Sequence, residues 1–174
     1  YSIDRLKIPS MVTSDGPHGL RKQVDEDENN VGFVMGAPAT CFPTAATMAN
    51  SWDEKLGEEV GKALGEEALY YNVNVLLKGH ETLICNVSAD KLYVNKTGNT
   101  GLSKGGAGEL LSGIIAGLTP AMNGDVFYSA VLGAFVHGMT ADLLKNEMSE
   151  YSMLPSDCAK ILGKVYTLIE NEKG

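Results

Sequence analysis

Apolar positions change their period along this chain, and each change marks an expected element. Trp52, Leu56, Val60, Ala63, Leu64 and Ala68 recur at spacings of three and four, one stripe of an amphipathic helix running to about Tyr71. Ser51-Trp52-Asp53-Glu54 reads as an S-x-x-E capping box that opens it. Val73, Val75, Leu76 and Leu77 then form a mostly apolar strand, of the kind buried in a parallel sheet. A short strand over residues 8–13 and a loop reaching about residue 44 precede the helix, which gives a β-α-β order.

Beyond residue 80 the pattern shifts. Residues 82–87 and 91–94 are β-rich runs separated by Ser88-Ala89-Asp90, the spacing of a hairpin. A Gly-rich segment over residues 98–108 leads into Leu110, Leu111, Ile114, Ile115 and Leu118, a short apolar helix. Residues 125–146 carry apolar side chains on most sides of a helix, which predicts a central position for it. Leu154-Pro155-Ser156-Asp157 opens a last helix with Ile161, Leu162, Val165, Leu168 and Ile169 facing inward. The expected fold class is α/β, a mostly parallel sheet with helices packed on it.

Composition narrows the function classes. The 174 residues suit one ordinary domain, and a net charge of -8 argues against a nucleic-acid partner, which calls for clustered Lys and Arg. Asp25, Glu26, Asp27 and Glu28 concentrate part of that charge in one loop. Apolar runs are broken before the length a membrane span needs. With Cys41, Cys85 and Cys158 at no metal-ligand spacing, reduced thiols in a cytoplasmic protein are expected. The opening Tyr1-Ser2-Ile3-Asp4 has no leader pattern and reads as a cut inside a longer sequence.

Candidate metal sites fall away on inspection. Asp25-x-Asp27-x-Asn29 starts like an EF-hand loop, but Asn30 and Gly36 stand where Gly and Glu are needed. His18, His80 and His137 lack local partners at ligand spacing, and His137 on its apolar helix reads as a core or pocket-edge histidine. Ser103, Ser112 and the cysteines sit in no nucleophile motif.

The Gly-rich segment carries the clearest chemistry. Thr97-Gly98-Asn99-Thr100-Gly101-Leu102-Ser103-Lys104-Gly105-Gly106-Ala107-Gly108-Glu109 places glycines just before a helix. Glycine permits close backbone approach, and the open amides of a helix N-terminus attract anions. The segment is neither a Walker A loop nor a Rossmann fingerprint.

As a whole it resembles the T-G-N-x-G-x-x-x-G-G-x-G-D stretch of ADP/ATP-dependent NAD(P)H-hydrate dehydratases, a ribokinase-like family. That resemblance runs from about Val75 to the C-terminus and takes in Lys78-Gly79-His80-Glu81-Thr82 and the stretch from Leu132 to Gly138. It implies ADP or ATP as the ligand, with Lys78, Thr82, Asn99, Gly105, Gly106, Ala107 and Gly108 around its phosphates. It also implies a catalytic role for the residue that ends the loop. The family has Asp there and this chain has Glu109, one methylene longer.

The first half resembles a different family. Thr13-Ser14-Asp15-Gly16-Pro17-His18-Gly19-Leu20-Arg21, Thr40-Cys41-Phe42-Pro43-Thr44 and Ser51-Trp52-Asp53 are similar to the opening of a family 3 β-glucosidase, over residues 1 to about 77. The resemblance implies that Asp15 would hold a sugar. The carboxylates that cleave glycosides in that family come from regions this stretch does not include.

These readings describe one hybrid domain over residues 1–174, with a TIM-barrel β-α-β fragment over 1–77 and a ribokinase-like fragment over 78–174. The expected function is that of a fragment recombination without intact parental catalysis, retaining weak nucleotide binding at the Gly-rich loop. A working dehydratase with Glu109 as base is the alternative, and a sugar-binding remnant at Asp15 a third. Expected partners are a small-molecule nucleotide at most, with neither nucleic acid nor membrane, and association between copies could cover exposed sheet edges.

Overall fold

The computed structural model describes residues 16, 18–22 and 36–172, and the chain divides between Val73 and Asn74 into two compact units. The strand expected over residues 8–13, Asp15 and the acidic stretch of residues 25–30 lie outside the described residues.

In the first unit, helix α1 (Ala45–Ala49) precedes helix α2 (Glu54–Tyr70). The sequence pattern places the cap of the longer helix at Ser51, but Asp53 is the cap. Its carboxylate accepts the amides of Lys55 at 3.0 Å and Leu56 at 3.2 Å. Ser51 is engaged elsewhere, donating to the Met48 carbonyl at 2.6 Å and accepting the Asp53 amide at 3.2 Å. Trp52 takes a left-handed φ of 54°, which ends one helix before the other begins.

The expected stripe is buried only in part. Val60 and Ala68 are covered, Trp52 is 92% exposed, and Leu56 is exposed as well. Glu67 accepts the Thr40 amide at 2.8 Å, and the Lys22 ammonium donates to the Tyr71 carbonyl at 2.9 Å.

The second unit begins with three short strands, β1 (Val75–Leu77), β2 (Leu83–Cys85) and β3 (Leu92–Val94). They pair in sequence order, with Leu76 opposite Ile84 and Ile84 opposite Tyr93. Both pairings are antiparallel: β2 and β3 form the expected hairpin, while the antiparallel pairing of β1 corrects the expectation of a mostly parallel sheet. Residues 78–82 and 86–91, the connections, are far shorter than the dozen or so residues a parallel crossover requires. Thus β1 closes no β-α-β unit within the described residues, and the first strand that unit needs, over residues 8–13, lies outside them. What remains of the α/β expectation is a small sheet with helices against it.

Because side chains alternate across a strand, Leu76, Ile84 and Tyr93 face the helices. Ile84 is fully buried and packs with Leu111, Ile115, Ala130 and Ala134. The opposite face carries Val75, Leu77, Leu83, Cys85, Leu92 and Val94, with Leu77 64% and Leu92 67% exposed.

Helices α3 (Ala107–Leu118) and α4 (Val126–Leu144) form a hairpin. Asp125 caps α4 by accepting the Tyr128 amide at 3.0 Å. Helix α4 is buried along most of its length, and α3, β2 and the last helices all pack on it. Although it has the length and apolarity of a membrane span, its apolar surface serves this core.

The expected last helix is two, α5 (Pro155–Lys160) and α6 (Leu162–Asn171), separated by a turn at Ile161. Asp157 accepts the Leu154 amide at 3.1 Å at the start of α5. Val165 is buried as expected, whereas Leu168 is exposed. Met153, Cys158, Ala141 and Leu144 make a second cluster beside this junction.

Candidate functional site

The Gly-rich segment is held against α4 by polar contacts along its length. Asn95, buried, donates through Nδ2 to the Ala134 carbonyl at 3.2 Å, and the Thr97 hydroxyl donates to the Phe135 carbonyl at 3.0 Å. Asp142 accepts the Gly98 amide at 2.7 Å and Asn99 Nδ2 at 3.2 Å. The segment lies so close to the helix that a Cβ on Gly138 would stand 2.1 Å from Thr97 Oγ1.

Beyond Asn99 a 3-10 turn, Thr100–Leu102, leads to Gly106, which adopts a left-handed φ of 89° and caps α3 without any side-chain hydrogen bond. The first amides of an α-helix have no partner within the helix. The helix therefore presents open backbone donors and the positive end of its dipole. Nothing stands within 4 Å of a Cβ built on Gly105 or Gly108, so the turn is uncrowded on that side.

Lys78, at the end of β1, reaches this loop, its ammonium donating to the Leu102 carbonyl at 3.3 Å. Thr82 and Asn99 engage the fold itself. The Thr82 hydroxyl accepts the Gly79 amide at 3.3 Å and donates to the Gly79 carbonyl at 3.2 Å, closing the β1–β2 turn. Asn99 caps the 3-10 turn by accepting the Gly101 amide at 3.0 Å. The Ala107 amide donates to the Lys104 carbonyl at 3.2 Å. Glu109 is exposed in the first turn of α3 and borders an apolar groove with Gly113, Ile114, Leu162 and Tyr166. Burial raises the Tyr166 phenol above its ordinary value.

Two residues of this region carry no role in the sequence reading. Lys104, inside the motif, extends to the turn after α4. His137 is 3% exposed on α4, and its Nε2 has no hydrogen-bond partner among the described residues. Burial, helped by the nearby positive charge of Lys78, lowers its pKa to about 4, so the imidazole is neutral near pH 7. An apolar helical pattern marks His137 as interior but cannot say that its nitrogen lacks a partner.

Among the described residues no three His, Cys, Asp or Glu side chains gather as a metal-binding group. Backbone amides, a lysine ammonium and an uncrowded glycine turn suit a phosphate, and the nucleotide-phosphate ligand implied by the sequence fits this donor set.

Comparison with known proteins finds two kinds of relative. The model of a family described as NAD(P)H-hydrate dehydratase matches residues 45–164, reaching well ahead of Val75, where the sequence reading starts that resemblance. A crystal structure of ADP/ATP-dependent NAD(P)H-hydrate dehydratase from Bacillus subtilis, co-crystallized with ATP/Mg2+ and soaked with CoA, superposes with a TM-score of 0.52. It is 30% identical and covers 66% of this chain and 42% of that one.

Thermostable beta-glucosidase B of Acetivibrio thermocellus is 55% identical over 75 residues, 43% of this chain and 10% of that protein. Exo-alpha-(1->6)-L-arabinopyranosidase of Bifidobacterium longum is 43% identical over 75 residues, with the same two shares. The chain thus spans about a tenth of the length of the curated relatives it matches.

Proposed function

Because the chain belongs to the NAD(P)H-hydrate dehydratase family, matched over residues 45–164, we propose that it binds the phosphates of ADP or ATP at the N-terminus of α3. The observation that carries this reading is the glycine turn at Gly105 and Gly106, uncapped by any side chain, with the Lys78 ammonium held on the same loop at the Leu102 carbonyl. In this reading the amides of Gly105, Gly106 and Gly108 cradle the phosphate oxygens, and Lys78 balances their charge. Asn99 and Thr82 hold the loop and the β1–β2 turn in place.

Affinity is expected to be weak, with a dissociation constant on the order of 1 mM or about -4 kcal/mol. The chain spans 42% of the solved dehydratase, and its net charge of -8 repels a nucleotide at long range. Calorimetric titration with ADP tests the reading. Gly105→Asp puts a carboxylate into open space without a left-handed backbone to strain, so loss of binding with unchanged folding supports it. Equal binding by that variant, or none by the parent at millimolar ADP, removes it.

A second reading, turnover of NAD(P)H-hydrate with Glu109 as base, is favoured by the exposed carboxylate in the first turn of α3 beside the same loop. One methylene moves that carboxylate by roughly 1 Å, a displacement that can lower rate about 100-fold. Recovery of reduced-nicotinamide absorbance with ATP, raised further by Glu109→Asp, would support turnover. Flat absorbance with nucleotide bound would leave a binding module assembled from two incomplete family signatures.

A further inference from the structure

The turn after α4 gathers three backbone carbonyls onto a single point. The Lys104 ammonium sits there, donating to the carbonyls of Glu150 at 3.0 Å, Tyr151 at 2.7 Å and Met153 at 2.6 Å. None of these three oxygens accepts a backbone amide among the described residues. The turn is set by other bonds. The Ser149 carbonyl accepts the amides of Ser152 at 3.0 Å and Met153 at 3.2 Å, and Ser149 Oγ accepts the Tyr151 amide at 3.3 Å. Met153 itself is fully buried. The bonds to Glu150 and Met153 are partly buried and the one to Tyr151 is exposed, and an ammonium has three donors and no acceptor, one hydrogen for each oxygen.

Rings of backbone carbonyls are also what replace the water around a potassium ion, and potassium and ammonium are close in size. We infer that Lys104 is a built-in monovalent cation, whose ammonium fills a carbonyl cage that would otherwise take potassium or ammonium ion from solution. Through Lys104 the cation ties the Gly-rich loop to the turn. A second tie lies alongside, from the Thr100 hydroxyl to the Glu150 carboxylate, which also pairs with Lys145 at 2.9 Å. Lys104 immediately precedes Gly105, so the tether fixes where the glycine turn starts. Its tethering to one's own backbone makes the loop's geometry independent of the salt around it.

Replacing the side chain should hand that dependence to the solvent. Thermal unfolding of Lys104→Ala is expected to fall by about 5 °C in lithium or choline chloride. Much of that loss should return in potassium or ammonium chloride at equal ionic strength. The parent should be indifferent to the choice of chloride, and Lys104→Met, whose thioether fills the space without charge, should stay low in all of them. An alanine variant with the same midpoint in every salt overturns the inference, as does a parent with the same potassium-specific gain.

Should the alanine variant not fold in any salt, the parent still decides. Reductive methylation, followed residue by residue by mass spectrometry, should modify Lys104 at least about tenfold more slowly than the exposed Lys62, as expected for a held ammonium. Equal rates would show that the cage is not occupied.

Discussion

Gly138 is a small residue doing a spatial job. A Cβ there would meet Thr97 at its hydroxyl, 2.1 Å, and at its carbonyl carbon and oxygen, 2.5 and 2.6 Å, and backbone cannot turn aside. Gly133 offers a contrast on the same helix, because its added Cβ would meet the flexible Ile115 side chain at 2.6 Å. Gly138→Ala is therefore expected to destabilise by about 3 kcal/mol, and Gly133→Ala by about 1 kcal/mol or less after its gain in helix propensity. Urea unfolding of both variants checks the order, and equal losses would refute the close-approach argument. This scale was partly legible in the sequence. The Gly-rich string marks a tight turn ahead of a helix, but nothing in the order of residues says that Lys104 leaves the motif for a distant turn, or that Thr82 and Asn99 bond to the nearby backbone of Gly79 and Gly101.

Among the elements, α2 shows why a motif can be found and still be misplaced by two residues. Ser51 and Asp53 are both good caps, and the apolar pattern cannot choose between them. The choice is made by α1, which uses the Ser51 hydroxyl and leaves Asp53 to close the next helix. Asp53→Ala should cost about 1 kcal/mol of stability and some helical ellipticity, whereas Ser51→Ala should leave α2 intact. The reverse ranking would return the cap to Ser51. The direction of β1 failed to show in the sequence for a related reason. The apolar run at β1 is equally at home in a parallel or an antiparallel sheet, and the distance to its partner decides, with only residues 78–82 between β1 and β2. Helices α3 and α4 were easier to place, since a Gly-rich turn marks the start of the one and a long, nearly all-apolar run marks the other.

At the scale of the whole molecule, the buried His137 couples stability to pH. Its folded pKa of about 4 lies below the ordinary histidine value of 6.5, so the unfolded chain binds more protons between those values. The stabilisation is fully present above about pH 6.5 and is lost as pH falls toward 4, amounting to about 3 kcal/mol at most. Urea midpoints over that range should slope less for His137→Asn than for the parent, and identical slopes would assign the dependence to carboxylates. The order of the strands and of α3 and α4 has a further consequence, in the kinetics of assembly. Each strand pairs with the one just before it, and α4 folds back on α3, so most closures involve short loops. Folding rates rise with such local order. The Lys104 tether, which closes 46 to 49 residues, is then a late step with a modest entropic cost, because the helices it joins have already met.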